Sequence, residues 1–381
     1  MKVIGIICEY NPFHLGHRKQ FDRIRAQFGE DSVIVCLMSG NFVQRGQPAI
    51  FDKAVRARVA LECGADLVLE LPTPYALSSA EGFAAGGVEI LGSFCDYLCF
   101  GAETGTEETL MATAKALLSP EFPEKLREAL DQGLSFPAAR QRALEAMGQD
   151  SDLLSNPNDI LAVEYCKAIL SKGCGMRPFV IRREGRYHAE IPDATDPSAT
   201  SLRRLILEKK DWLLFVPEEG AASFQNTPVY HLSHGERAVL SRLRMMSEED
   251  FSALPYGSEG LWRKLMHACR SQGDLEQILT ATKSKRYTRS RLDRMVMCAF
   301  LGLTQQKMEE KPPYVRVLGF REQGKAALKL ARISGLFPHT GEKTGNAYEM
   351  LEAQWDDLYG LFREGTPAPA GETSSRRVCI I

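Results

Sequence analysis

An α/β fold, with a parallel-sheet domain first and a mostly α-helical C-terminal domain after it, is what the sequence predicts. Three observations carry this. Short apolar runs alternate strictly with amphipathic stretches over the first hundred residues, helical spacing takes over from about Thr106, and the chain is long enough for two domains. With 381 residues, 44% of them apolar and 25% charged, the composition is that of a soluble globular chain. At about 100–200 residues per domain it has room for two.

Taken in order, Val3 to Ile7 reads as a buried strand and Gly16 to Phe28 as a helix with Phe21, Ile24 and Phe28 on one face. Ser32 to Met38 reads as a strand, Phe51 to Cys63 as a helix, and Asp66 to Leu71 as a strand closed by Pro72 and Pro74. Ser79 to Leu91 is expected as a helix and Tyr97 to Phe100 as a strand, so right-handed crossovers would build a Rossmann-like parallel sheet. A helix from about Asp159 to Leu170, a strand at Arg177 to Arg182 and a helix capped by Ser198 follow. After roughly residue 225 only helices are expected, with breaks near Pro255-Tyr256-Gly257 and Pro312-Pro313. The expected division is 1–210 for the sheet domain, 211–364 for the helical domain and 365–381 for a disordered tail.

Forty-seven Lys+Arg against 49 Asp+Glu give a formal net charge of -2, so any nucleic-acid contact must come from local basic patches. The ten cysteines never form Cys-x-x-Cys, which favours reduced thiols in a cytoplasm over disulfides or a zinc cluster. The apolar opening stops at Cys8 without a cleavage site, and no run of about 18 apolar residues occurs, so neither a signal peptide nor a membrane span is expected.

The chemistry is concentrated where the first strand runs into Glu9-Tyr10-Asn11-Pro12-Phe13-His14-Leu15-Gly16-His17 and a helix begins. Ligands of such sheets bind beyond the carboxyl ends of the strands, and a helix N-terminus there offers free N–H groups to a phosphate. Gly16 lets a nucleotide approach the backbone, and His14 and His17, three residues apart, fall on one side of the first turn as donors to phosphate oxygens. A metal site is not expected, since His-x-x-His lacks the four-residue spacing of a helical zinc pair and has no third ligand.

His-x-Gly-His after the first strand resembles the signature of the nucleotidyltransferase and class I aminoacyl-tRNA synthetase superfamily. Ser198-Ala-Thr-Ser-Leu-Arg203 resembles the Ser-x-Thr-x-x-Arg motif of nucleotidyltransferases. Together with Ser39-Gly-Asn-Phe-Val-Gln-Arg-Gly-Gln-Pro-Ala49, Asp52-Lys53, Gly64-Ala-Asp-Leu-Val-Leu-Glu-Leu-Pro72, Phe100-Gly-Ala-Glu103, Pro157-Asn158-Asp-Ile-Leu161 and Tyr187-His188, these motifs closely resemble the bacterial tRNA(Met) cytidine acetate ligase family. The match is dense to about residue 205 and thins afterwards to Lys285-Arg286-Tyr287-Thr288 with Arg291 and Arg294.

The resemblance implies that ATP and acetate give acetyl-adenylate, and that the acetyl group passes to the exocyclic amine of the wobble cytidine of elongator tRNA(Met). It implies an ATP site at Ile7, Cys8, Glu9, Tyr10, Asn11, Pro12, Phe13, His14, Leu15, Gly16 and His17, with Gly101, Asn158 and either Arg182 or Arg183. Cys8, Leu15 and Asp159 depart from the family pattern, and Asp159 would weaken anion binding if it faced the site. His14 and His17 are expected to contact the phosphates, Lys53 or Arg45 to assist, and Arg203 to hold pyrophosphate. Mg²⁺ is expected to accompany ATP, with no carboxylate cluster to mark a protein ligand.

For the RNA, the densest candidate is six cations in twelve residues, Lys283, Lys285, Arg286, Arg289, Arg291 and Arg294, with Tyr287 placed to stack on a base. Lesser ones are Arg182, Arg183 and Arg186, then Arg203, Arg204, Lys209 and Lys210. No protein partner is inferred. Two other functions share the nucleotide motifs: a small-molecule adenylyltransferase, against which the long helical half argues, and a non-catalytic nucleotide- or RNA-binding regulator, against which the retained histidines and Arg203 argue.

Overall fold

Each apolar run of the N-terminal half becomes a strand, and each amphipathic stretch between them a helix. The computed structural model describes residues 1–149, 151–182, 197–284, 286–336, 338–340, 345–372, 375 and 377–381. Arg183, Arg186, Tyr187, His188 and Lys285 lie outside the described residues. The order is β1 (Val3–Cys8), α1 (Leu15–Phe28), β2 (Val33–Ser39), a small hairpin of β3 (Phe42–Val43) and β4 (Gln47–Pro48), α2 (Lys53–Glu62), β5 (Leu67–Leu71), α3 (Thr73–Ala76), α4 (Ala80–Leu91) and β6 (Tyr97–Ala102). Then come α5 (Glu107–Leu117), α6 (Phe122–Asp131), α7 (Phe136–Ala146), α8 (Pro157–Lys172), β7 (Arg177–Arg182) and α9 (Ala199–Leu207). The C-terminal half holds α10 (Glu218–Phe224), α11 (Leu232–Met245), α12 (Glu248–Ser252), α13 (Leu261–Ser271), α14 (Leu275–Thr282), α15 (Arg289–Leu301), α16 (Gln305–Glu309), β8 (Val315–Phe320), α17 (Gly324–Ile333), β9 (Pro338–His339), α18 (Ala347–Gly360) and β10 (Cys379–Ile380).

Five strands run parallel in the order β5-β2-β1-β6-β7, which confirms the expected α/β class. The chain departs from β1 to one side first and to the other later, so the strand order reverses between β1 and β6, and a crevice opens there at the carboxyl ends. β2 is buried along its whole length, as a central strand covered on both faces must be. Residues of β1 alternate between the two apolar layers. Val3 and Ile7 join α4, α5 and α8 on one side, whereas Ile4 and Ile6 join α1 and α2 on the other. Gly87 lets α4 lie directly on β1, since a Cβ there would come 2.4 Å from Ile7 Cδ1.

The expectation of helices only beyond residue 225 is corrected. β8 pairs antiparallel with β5, and β10 pairs parallel with β8, so the last residues of the segment read as a disordered tail return to the sheet. The free edge of β5 would otherwise expose a row of unpaired backbone groups. The helices α11 to α15 and α18 enclose a third apolar core that also takes in Phe42 and Leu77 from the N-terminal half. Tyr359 donates to the Ala49 carbonyl at 3.0 Å and Tyr256 to that of Leu77 at 2.8 Å, so these helices are stitched to the N-terminal half. Among the described residues no helix is long and apolar enough to cross a membrane.

A buried charge cluster sits at this seam. Lys53 Nζ lies 2.9 Å from both Glu70 and Asp356, and Arg316 reaches Glu352 at 3.1 Å. Tyr314 donates to Glu352 at 2.6 Å, and Asn41 donates to Asp356 while accepting from the Lys53 backbone, each at 2.9 Å. Burial, and then the Glu70 charge, push the Glu352 carboxyl up to about 7 against the pull of Arg316, Lys53 and the Tyr314 hydroxyl. A folded-state value above the ordinary carboxyl range means that the native protein keeps a proton the unfolded chain has lost, so this group removes stability as pH rises towards about 7. Glu352→Gln is therefore expected to lose less stability than wild type between pH 5 and 8, by up to about 3 kcal/mol, as read from urea midpoints at the two pH values.

Candidate active site

The loop after β1 is held from beneath. Arg56, fully buried on α2, donates to the carbonyls of Phe51 (2.9 Å), Glu9 (2.5 Å), Ser39 (3.1 Å) and Gly40, tying the ends of β1 and β2 together. Asn11 accepts from the Ile50 N–H at 2.7 Å, and the Glu9 carboxylate accepts from the Gln44 N–H at 2.8 Å. Tyr10 and Phe13 are buried edge to face with ring centroids 4.8 Å apart, so these two anchor the loop in the core.

His14 is the N-cap of α1. Its Nδ1 accepts from the Gly16 N–H at 3.1 Å, while Nδ1 of His17 accepts from the His14 N–H at 3.2 Å, a reciprocal cap that spends one nitrogen of each ring. The rings stack with centroids 3.7 Å apart. With Nδ1 an acceptor, the neutral imidazole carries its hydrogen on Nε2, so the hydrogen-bond network assigns both histidines as Nε2 donors.

Both line a cavity of about 400 Å³ at the carboxyl ends of β1 and β6, in the crevice where the strand order reverses. The N-terminus of α9 forms another wall. Ser198 caps it at Ser201, and Arg203 donates to the Asn11 carbonyl at 2.7 Å and to the Thr200 hydroxyl at 3.0 Å. The two motifs, almost two hundred positions apart, are thus hydrogen-bonded to each other. Gly101 at the end of β6, Asn158 in the first turn of α8 and Arg182 at the end of β7 line the same space, as do Ile7, Cys8, Glu9, Tyr10, Asn11 and Gly16. Pro12, Phe13 and Leu15 do not, and Phe13 is fully buried.

Charge selects the ligand class. Among the described residues five cationic side chains line the cavity, Lys19, Arg23, Arg45, Arg182 and Arg203, against one carboxylate, Glu9, and the first turns of α1, α8 and α9 add the positive ends of their helices. This local excess is hidden in a chain of net charge -2. The floor includes Phe83, Phe100, Leu161 and Tyr165, an apolar surface suited to a base. Burial, with Cys36 beside it, pushes the Cys8 thiol well up, so it stays neutral on that floor. Asp159 does not face the cavity. Its carboxylate accepts from the N–H groups of Glu103 (2.8 Å) and Thr104 (3.1 Å) and from the Thr104 hydroxyl (2.7 Å). Burial raises its carboxyl, yet those donors outweigh burial and hold it below the ordinary range.

The expectation for Lys53 is corrected, and the described RNA candidates each make contacts within the fold. Lys53 does not reach the cavity, because its ammonium is buried between Glu70 and Asp356. Arg291 donates to the Tyr256 carbonyl (3.1 and 2.8 Å) and to Ser258 (2.9 Å), which ties it to the segment between α12 and α13. Arg294 lies over the Tyr256 ring and donates to the Gln44 carbonyl at 3.3 Å. Arg286 and Tyr287 share Glu259, at 3.1 and 2.8 Å. Lys19, Gln20 and Arg23 were not singled out from sequence, although they share the cavity with His17 on the same helix. The three- and six-residue steps from His17 to Gln20 and Arg23 were the available signal.

The HIGH Nucleotidyl Transferase family profile matches residues 1–368. Among named relatives, tRNA(Met) cytidine acetate ligase of Clostridium acetobutylicum is 36% identical over 351 residues, covering 86% of this chain and 87% of the relative. That of Halothermothrix orenii is 33% identical over 407 residues, covering 95% of each. The crystal structure of Thermotoga maritima TmcAL in its apo form superposes with a TM-score of 0.91 at 29% identity, covering 100% of both chains. The same protein bound with alpha-thio ATP gives 0.89 at 30%, covering 100% of this chain and 99% of that one. With its two motifs, the loop after β1 and the start of α9, lining one cation-lined cavity at the strand-order reversal, and with relatives matching it along nearly its whole length, this chain belongs to the tRNA(Met) cytidine acetate ligase family of HIGH nucleotidyltransferases.

Proposed function

We propose that this chain is an ATP-dependent ligase that activates acetate as acetyl-adenylate and acetylates the exocyclic amine of the wobble cytidine of elongator tRNA(Met), in the cytoplasm. One observation carries the reading: His14 and His17 on one side and Arg203 with the α9 N-terminus on the other share one cavity, joined at the Asn11 carbonyl. In the first step an acetate oxygen attacks the α-phosphorus, the bond to the bridging oxygen breaks and pyrophosphate leaves. Acetate brings little binding energy, so rate must come from alignment and from donors aimed at the charge that builds on the phosphates. The Nε2–H groups of His14 and His17 are the donors for the α-phosphate, and Arg203, oriented by Asn11 and Thr200, holds the leaving pyrophosphate. Asn158 and Arg182 take the nucleoside side of ATP, and the apolar floor its base. In the second step the cytidine amine attacks the acetyl carbon, AMP leaves and the amine loses a proton.

Among the described residues no group of three His, Cys, Asp or Glu could hold a metal ion. Magnesium would arrive on the phosphates of ATP, and no step here passes through a protein-held metal. Purified protein given ATP, magnesium and labelled acetate is expected to label elongator tRNA(Met) at a cytidine and release AMP. Acetate-independent ATP use with a phosphorylated small molecule would instead favour an adenylyltransferase, and ATP binding without turnover a regulator.

A further inference from the structure

Beside the ATP cavity lies a second one of about 450 Å³, between the β3–β4 turn and the first turns of α15. Gln44, Arg45 and Gln47 line both, so the two spaces meet at this turn. The shared wall is firm. Gly46, at φ +74°, sits so close to α15 that a Cβ would come 2.3 Å from the Arg294 N, and Arg294 donates to the Gln44 carbonyl from the other side. Arg45 is exposed at the boundary. Across from it Arg289 is held at 2.8 and 2.7 Å by Glu276 and at 2.9 Å by Asp293, and Ser290 presents a hydroxyl on the first turn of α15. Among the described residues three arginines, Arg45, Arg289 and Arg294, and one carboxylate, Asp293, line this groove, with Glu276 paired to Arg289.

A second feature of the junction points to a ligand. Gln44 Nε2 is buried there and has no hydrogen-bond partner among the described residues. Buried donors are almost always satisfied, and one left unmade at the meeting point of two cavities awaits an acceptor from outside. We propose that this groove is the acceptor-strand subsite: a backbone phosphate of the RNA sits among Arg45, Arg289 and Ser290 while the adjoining pyrimidine turns past Gln44 into the ATP cavity, accepting from the Gln44 amide at its Watson–Crick edge. The inference rests on the reading of RNA as acceptor. A base that reacts inside a closed cavity has to leave its stack, and its backbone needs a place to lie at the entrance. A small free acceptor would need no second cationic groove. The groove also reassigns the basic segment, because Arg289 lines it whereas Arg291 is consumed within its own domain.

Two variants test this in the full-length protein with ATP, labelled acetate and an elongator tRNA(Met) transcript. Ser290→Glu puts a carboxylate in the groove, breaks no ion pair and occupies a first-turn position where acidic residues favour the helix, so lost transfer would not be lost folding. It is expected to raise the KM for tRNA at least tenfold relative to the KM for ATP in acetate-dependent pyrophosphate exchange without RNA. Gln44→Leu removes a donor that has no partner among the described residues, so transfer to tRNA is expected to fall at least tenfold with no drop in the urea midpoint. Wild-type tRNA kinetics in both variants would overturn the subsite. Acetyl-adenylate formation by the wild-type protein without labelled RNA would instead overturn the acceptor reading on which it rests.

Discussion

His17→Ala is expected to lower acetate-dependent pyrophosphate exchange by about 10²–10³-fold, the usual effect of deleting one positioned donor to transition-state charge. The size follows from what each ring nitrogen does. Nδ1 of His17 accepts from the His14 N–H, so the side chain closes the cap of α1 while the residue lines the cavity. Alanine removes both roles, and losing the cap alone costs about 0.5–2 kcal/mol of stability. His17→Gln separates them. Glutamine is a natural partner at this position of a capping box, so it restores the helix start while placing no ring N–H at the phosphate. The glutamine variant is expected to match wild type in urea midpoint and to resemble alanine in exchange rate. A glutamine variant within a few-fold of wild-type rate would mean that His17 serves the helix and not the chemistry.

Lys53→Met is expected to destabilise the protein by about 3–5 kcal/mol, the cost of leaving a buried charge without its partner. Methionine fills the space of the lysine stem but leaves Glu70 and Asp356 facing each other, with Arg316 no nearer than 3.9 and 4.0 Å. Burial pulls the Lys53 ammonium down, yet Asp356 and Glu70 outweigh it and hold the group above its ordinary range. The contribution is therefore complete at neutral pH and lost only as pH rises through that elevated value. Pairing Lys53→Met with Asp356→Asn should cost less than the sum of the two, because the second change removes a charge that the first has stranded. Saturating ATP offsets part of the loss by binding only the folded state. Under those conditions folded Lys53→Met is expected to keep pyrophosphate exchange within a few-fold of wild type. A loss of several orders of magnitude at unchanged stability would return Lys53 to the chemistry.

The different fates of Lys53 and His17 show what was legible. His14, Gly16 and His17 are close in sequence, and the run of apolar residues before them places them at a strand end, so local spacing was enough to find the site proposed for the phosphates. Arg203 was equally readable through its own hydroxyl-rich helix cap. Lys53 also follows a helix cap, Asp52, but its direction is decided by Asp356, which lies on the last long helix of the chain. The basic segment misled in a similar way. Six cations in twelve residues look like one surface, yet only the folded positions of Tyr256 and Gln44 determine that Arg291 and Arg294 turn inward.

Periodicity and motif chemistry, properties of neighbouring residues, determined the parallel sheet, its crossovers and the loop proposed to meet the phosphates. Tertiary structure alone decided that β8 and β10 close the open edge of that sheet and that Asn41 bonds to Asp356 across 315 positions. It also decided that Arg56 ties the strand ends under the loop after β1, and that the hairpin turn joins the cavity there to a second groove. The physical reason is separation along the chain. A strand or a cap is set by contacts within a few residues, whereas an edge pairing or a buried ion cluster gains its free energy only after distant segments have met, and leaves no repeat in the sequence between them.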